Sequence, residues 1–302
     1  MTPYLKLCKK TWERYLPKYD IIFLDYSNLA NYLPANTFDI EALKRVNLIL
    51  QVQKDAIMVG VLREHGGIFM DADTIVLKDI SPIVSRLKET EMIMFNTHLA
   101  FIAARPRAYI LELWLKGIQR KMRDLTGRKK VEQELNWDFL GNSVLADVMD
   151  EVIYNAGYTG KLQKHVLDKG ILAIQAGIKD MTLNPSGLKT IIYKLCNSLR
   201  NKKRDVLFHA MFQNHVTMLD RLEYGFIPEA NFFNTRRMTP EGKYENFWFK
   251  NDRHIQDVFL KNQMIIGLHN SWTPQWYKDL SEKEVLENDC LLSRTLKYLL
   301  EE

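Results

Sequence analysis

Asp71 and Asp73 stand one residue apart, directly after the hydrophobic run Ile68-Phe69-Met70 and directly before Thr74-Ile75-Val76-Leu77. Read as extended chain, the pair points to one side with Cα atoms about 6 to 7 Å apart. Two carboxylates at that spacing suit a hard divalent cation, or a division in which one binds metal and the other binds hydroxyls. Mg²⁺ and Mn²⁺ keep open coordination positions when only one or two carboxylates hold them, so such a pair also accepts a diphosphate and offsets its charge. An arbitrary D-x-D more often decorates a β-turn. The flanking elements therefore decide what this one means.

Those elements alternate between helix and strand. Leu5, Cys8, Trp12 and Tyr15 recur at spacings of three and four, which predicts an amphipathic helix over Pro3 to Tyr15 with lysines outward. Ile21 to Leu24 reads as a short buried strand, and Glu41 to Leu62 as one long helix that Gly66-Gly67 stops by adopting positive φ. Ile68 to Met70 and Thr74 to Leu77 are β-prone, so the two aspartates fall at a strand end, where α/β folds gather ligands. Met92 to Phe95 and Ala100 to Ala103 read as neighbouring strands, followed by a helix over Pro106 to Met122. A further helix follows Gly141, with Asn142 or Ser143 as its cap. A helix through Ile191 to Leu199 and a strand at Val206 to Phe208 come next. Met264 to Leu268 is a buried strand that delivers His269, and Ser281 to Leu299 closes the chain as a helix. No internal repeat or Gly/Ser/Pro linker divides the 302 residues. One composite domain is expected: about 1–105 as a ligand-binding half, about 106–262 as a helical region, and 263–302 as a C-terminal strand and helix.

Composition excludes other classes. No run approaches the ~20 apolar residues of a spanning helix, and the first residues lack a secretory pattern, so the expected location is cytoplasmic. Cys8, Cys196 and Cys290 are odd in number and widely spaced, which predicts reduced thiols rather than a disulfide frame or zinc site. A net charge of +5 is too mild to argue for nucleic acid. The excess is clustered, through Lys116, Arg120, Lys121, Arg123, Arg128, Lys129 and Lys130 and again through Arg200, Lys202, Lys203 and Arg204. Solvated helix ends are the plain reading; peripheral contact with an acidic membrane surface is the sharper one.

The contiguous run Arg63-Glu64-His65-Gly66-Gly67-Ile68-Phe69-Met70-Asp71-Ala72-Asp73-Thr74 resembles the sugar-nucleotide signature of GT-A-fold glycosyltransferases, specifically the DXD sugar-binding and capsular polysaccharide synthesis group. That group places an aspartate on the preceding helix after a Lys or Ser, matched by Lys54-Asp55, and a late histidine followed by Ser-Trp, matched by His269-Asn270-Ser271-Trp272. Asn136 to Asn142 resembles its mid-chain acceptor element. The resemblance implies an α/β, Rossmann-like fold with a mostly parallel central sheet flanked by helices and a helical acceptor-side region. Relatives usually open with a strand of the I-P-K-I-I-W type, whereas this sequence begins at what reads as the following helix, so that strand is either absent or cut off by a truncated start. Many carry an arginine one turn after the helical aspartate, where this chain has Met58.

By the same resemblance, Asp73 and His269 ligate Mn²⁺ or Mg²⁺, and Asp71 binds ribose or sugar hydroxyls and reaches the metal through water. Asp55 binds the donor sugar, Ser271 and Trp272 the diphosphate, and Asn142 sugar hydroxyls. The implied reaction moves a sugar from a nucleotide diphospho-sugar, a UDP-sugar foremost, to a hydroxyl of a glycan or lipid-linked oligosaccharide at the inner face of a bacterial membrane. An inverting route needs a base beside that hydroxyl, for which Asp138 is the candidate; a retaining route stays open. Two other readings are a catalytically inactive scaffold of the same fold and a haloacid-dehalogenase-type phosphatase with Asp71 as nucleophile. The second also wants Thr or Val two residues after Asp73, where this chain has Ile75, and a downstream D-D or G-D-x-x-x-D, which the chain lacks.

Overall fold

A computed structural model describes residues 1–37, 40–45, 50–95, 98–126, 138–155, 215–219, 223–225, 240–259 and 262–301. Helix α1 (Pro3–Tyr15) has a proline in its first turn, where a missing N–H costs nothing, and buries Tyr4, Leu7, Cys8, Thr11 and Trp12. The expected helix over Glu41 to Leu62 is described as two pieces, α2 (Ile40–Arg45) and α3 (Leu50–His65). Gly66 and Gly67 end α3 with φ of 67° and 99°. A methyl group on Gly66 would lie 2.6 Å from Pro106 Cδ and 2.8 Å from the Ala104 carbonyl, so only glycine lets α3 return onto the sheet here.

Two small sheets follow. Strand β1 (Gly67–Met70) pairs antiparallel with β4 (His98–Ala104), which pairs antiparallel with β3 (Met92–Phe95); β3 pairs in parallel with β5 (Val216–Met218). The second sheet is β2 (Thr74–Val76) against β7 (Ile265–Gly267), antiparallel, with β6 (Tyr224–Gly225) parallel to β7. The arrangement is therefore mixed α/β, and the expected mostly parallel sheet is not what these strands form. Two residues separate β3 from β4. That is long enough for a hairpin, while a parallel crossover needs a dozen residues or more.

After the short α4 (Ser81–Val84), helices α5 (Tyr109–Thr126) and α6 (Asn142–Asn155) pack with α3 around Trp114, Leu111 and Val144. Helices α7 (Pro240–Trp248), α8 (Gln275–Lys278), α9 (Glu282–Glu287) and α10 (Leu291–Glu301) gather with α1 around Tyr277, Leu7 and Ile75. A third cluster joins the two sheets through Ile93 and Phe101 of the first and Val76, Ile265 and Tyr224 of the second. Each fully buried large side chain contributes about 1.5 to 3 kcal/mol, so this seam holds the sheets in register with each other.

Three further expectations are corrected. Ile21 to Leu24 forms no strand: Ile22 and Leu24 are exposed, at 50% and 36%, and only Ile21 and Phe23 pack inward. The closing helix is broken at Asn288 to Cys290, where the Asn288 side chain accepts from the Cys290 amide and the Leu291 amide donates to the Lys250 carbonyl. Neither Asn142 nor Ser143 caps α6. Its first amides, from Ser143, Val144 and Leu145, donate to the carbonyls of Asp138 and Gly141, and Asn142 Oδ1 has no hydrogen-bond partner among the described residues. Cys8 and Cys290 are free and buried, as expected of reduced thiols. Among the described residues no helix is long and apolar enough to cross a membrane. The expected elements at 191–199 and 206–208, the basic clusters at 128–130 and 200–204, and Cys196 lie outside the described residues.

Candidate functional site

The D-x-D tripeptide is a turn, not extended chain, and it carries the backbone from one sheet to the other. Asp71 donates its amide to the Ala100 carbonyl of β4 at 2.9 Å, and its own carbonyl accepts from Thr74 at 3.0 Å. Asp73 in turn accepts the Leu268 amide on its carbonyl at 2.8 Å. The Trp12 indole donates to the Thr74 carbonyl at 2.6 Å, which fixes the start of β2 against α1. A turn serves better than a strand here, because its two ends are anchored in different sheets, Asp71 on β4 and Asp73 just beyond the end of β7.

The register Thr74 to Gly267 brings the end of β7 beside Asp73. The Asn270 amide donates to Asp73 Oδ2 at 2.7 Å, and Asn270 Oδ1 accepts from the Tyr4 hydroxyl at 2.6 Å. His269 is held from both sides: its amide donates to Tyr244 Oη at 3.2 Å, and its carbonyl accepts from Thr273 Oγ1 at 3.0 Å. Its ring lies 3.8 Å from that of Trp272, tilted by 32°. Burial lowers the imidazole pKa to about 4, leaving a neutral ring with a lone pair at neutral pH. Ser271 is exposed on the same bend.

Asp55 lies on the buried face of α3, 4% exposed. Burial raises its pKa to about 6, opposed by Lys54 and reinforced by the charges of Asp71 and Asp138. Lys54 Nζ stands 2.9 and 3.1 Å from the two oxygens of Asp71, 3.5 Å from Asp55 and 5.7 Å from the centroid of the Phe69 ring, over which it lies. The segment 138–143 closes on Asp55. A methyl group on Gly141 would lie 2.1 Å from Asp55 Oδ2. Helix α5 pins that segment through Trp114, which donates to the Leu140 carbonyl at 3.3 Å, and Lys121, which donates to the Phe139 carbonyl at 3.2 Å and to Ser143 Oγ at 2.8 Å.

Thus Asp55, Asp71, Asp138 and Gly141 gather on one side of the turn, while Asp73 meets the bend after β7 that carries His269 and Trp272. Asp73 is half-buried, burial raises its pKa to about 6 with Asp71 adding to the shift, and no Lys or Arg among the described residues lies in ion-pair reach of it. Among the described residues no three His, Cys, Asp or Glu side chains form a closed cage for a metal ion. A divalent ion of the Mg²⁺ type does not need one, since one or two carboxylates plus phosphate oxygens and water complete its shell. Asp73, partly desolvated, compensated by the Asn270 amide and by the Lys54 charge from beyond ion-pair distance, and close in the fold to the bend that carries His269, fits such an ion.

Sequence reading passed over His98, Tyr4, Tyr224 and Tyr244. His98 opens β4 two residues before the Ala100 carbonyl that holds Asp71. Its Nδ1 is 3.1 Å from Tyr224 Oη and its ring centroid 6.1 Å from that of His269. Burial, with His269 and Lys54 nearby, lowers its pKa to about 3. The one local hint was its position at the mouth of a strand otherwise wholly apolar, Leu99 to Ala104.

Residues 2–116 match a family model described as capsular polysaccharide synthesis protein. No curated protein and no solved structure matches the chain. The matched stretch contains Lys54, Asp55, Asp71 and Asp73; the residues that meet them, from 138–143 and 265–273, lie beyond it.

Proposed function

We propose that the chain is a metal-dependent glycosyltransferase of GT-A type that takes a nucleotide diphospho-sugar, a UDP-sugar foremost, and glycosylates a hydroxyl of a glycan or lipid-linked oligosaccharide in capsular or surface polysaccharide synthesis. The observation that carries this reading is the meeting of three distant stretches around the D-x-D turn: Asp73 against Asn270, and Asp55 against Gly141, with Lys54 and Asp71 between them. The family-model match over residues 2–116 supports the same direction.

In this reading Asp73, with His269, holds Mn²⁺ or Mg²⁺, which offsets charge gathering on the leaving diphosphate. The chain's residues do the rest by placement. Trp272 and the exposed Ser271 lie on the bend that faces the diphosphate. Asp55 and Asp71 accept from sugar hydroxyls at the other end, and the rigid α3 and β1 scaffold keeps the anomeric carbon between the two ends. Asn142 Oδ1, buried without a partner, is available to accept a hydrogen bond from a sugar hydroxyl. Asp138 stands on the acceptor side as the base for an inverting route. Catalysis takes place at the cytoplasmic face of the membrane, which the basic residues of α5 meet peripherally.

The test is thermal stabilisation by UDP-, GDP- and CMP-sugars with and without Mn²⁺, for the native chain and Asp73→Asn. Stabilisation by one donor class that requires Mn²⁺ and vanishes in the variant supports the reading. A folded chain that none of the donors stabilises would instead be a non-catalytic scaffold.

A further inference from the structure

Lys54 stands between the carboxylates of α3 and of the D-x-D turn. Its ammonium bridges both oxygens of Asp71 at 2.9 and 3.1 Å and also reaches Asp55 at 3.5 Å. Two of the three carboxylates near the turn thus share one built-in positive charge, while Asp73 has no Lys or Arg within ion-pair distance among the described residues. The turn geometry sharpens the asymmetry. Asp71 faces α3, whereas Asp73 is tied to the bend after β7 through the Asn270 amide at 2.7 Å.

Resting on the glycosyltransferase reading, we propose that Lys54 divides the D-x-D pair: it occupies Asp71 as an internal counter-ion, so that a divalent cation is bound through Asp73 and Asp71 is kept outside its coordination shell. A carboxylate already accepting two charge-assisted hydrogen bonds gives up both when it turns to a metal. An ammonium adjoining the site also repels the incoming cation. Lys54 is therefore a positioning residue. It reserves Asp71 and Asp55 for neutral hydroxyls, whose hydrogen bonds to a carboxylate are compatible with the lysine's own. The same charge limits how strongly the protein alone holds the metal, so tight metal binding waits for the diphosphate.

The experiment measures Mn²⁺ alone, by isothermal titration calorimetry and by the electron paramagnetic resonance of free Mn²⁺, on the intact chain. Lys54→Met keeps a long, unbranched side chain at this position and removes the charge, and it is expected to bind Mn²⁺ about tenfold or more tightly than the native chain. A gain of this kind cannot come from a damaged site, which loses affinity. In the native background Asp73→Asn costs about tenfold or more and Asp71→Asn less than about threefold; in the Lys54→Met background Asp71→Asn becomes as costly as Asp73→Asn. Lys54→Arg restores the native pattern. Equal losses from the two aspartate variants in the native background, or no gain in Lys54→Met, overturn the division while leaving metal binding and the proposed reaction standing. Absence of Mn²⁺ binding in every variant, Lys54→Met included, also overturns the division, and the proposed reaction then stands or falls on whether a donor nucleotide is stabilising only when Mn²⁺ is present.

Discussion

The backbone amide of Asn270 donates to the side chain of Asp73 at 2.7 Å across 197 positions of sequence. The contact is a consequence of pairing between β2 and β7, and Tyr4 secures it from behind by donating to Asn270 Oδ1 at 2.6 Å. Tyr4→Phe removes one short hydrogen bond from a fully buried ring without changing the packing. Stability should fall by about 1 kcal/mol, measured by urea unfolding. The Mn²⁺-dependent stabilisation by donor should weaken alongside it, because the Asn270 bend loses its tether. Unchanged donor response would mean that Asp73 holds the bend alone.

Gly141 lies so close to Asp55 that a single methyl group collides with it. Gly141→Ala would set Cβ 2.1 Å from Asp55 Oδ2 and 2.9 Å from Leu99 Cδ1. Either the carboxylate or the 138–143 segment must move, at a cost of about 1 to 3 kcal/mol. Since both belong to the sugar end of the proposed site, donor affinity is expected to drop more than nucleoside diphosphate affinity. Calorimetry with each ligand separates the two, and an equal drop would place Asp55 away from the sugar.

Asp55 also predicts a pH dependence with a definite sign. Its native pKa is raised to about 6 by burial, above the unfolded value of about 3.9. The native state therefore holds the proton longer. The stability from this group is fully present below about pH 4 and is lost as pH rises through about 6. Asp55→Asn should remove that loss and stabilise the metal-free chain at pH 7 by about 1 to 3 kcal/mol, while weakening donor binding. A destabilised variant at pH 7 would show that the Lys54 pair outweighs desolvation.

His98 acts in the opposite sense. Its native pKa is lowered to about 3, against about 6.5 when unfolded. The unfolded chain takes up the proton first, so stability present above about pH 6.5 is lost as pH falls toward 3. His98→Gln is expected to flatten this acid limb, by more than about 1 kcal/mol between pH 7 and pH 5. Denaturant midpoints at the two pH values measure it; parallel curves for the native chain and the variant would refute the assignment.

Much of the local structure was legible because it depends on near neighbours. The apolar spacing in Pro3–Tyr15 predicts α1, and the glycine pair after His65 predicts the stop of α3 at positive φ. The run at Met92–Phe95 and the core of His98–Ala104 become strands where expected. The mixed sheet was not legible, because strand direction depends on which segments pair rather than on what each contains. Ile21 to Leu24 has the composition of a buried strand, yet two of its four side chains face outward. The break at Asn288 to Cys290 likewise depends on Lys250, forty residues away in the chain by rough count, whose carbonyl takes the Leu291 amide.

For the site, sequence alone determined the inventory: an acidic pair at Asp71 and Asp73, an acidic helix position at Asp55, and a histidine after a late strand at His269. These are properties of residue type and spacing. Only the tertiary structure decided how the charges are shared: Lys54 to Asp71, the Asn270 amide to Asp73, Gly141 to Asp55. It also added His98 and Tyr224, which no spacing rule joins. The reason is physical. Local periodicity reports which face of an element is apolar, whereas a carboxylate's partner and pKa depend on which distant groups packing brings within a few ångströms and how much water it removes.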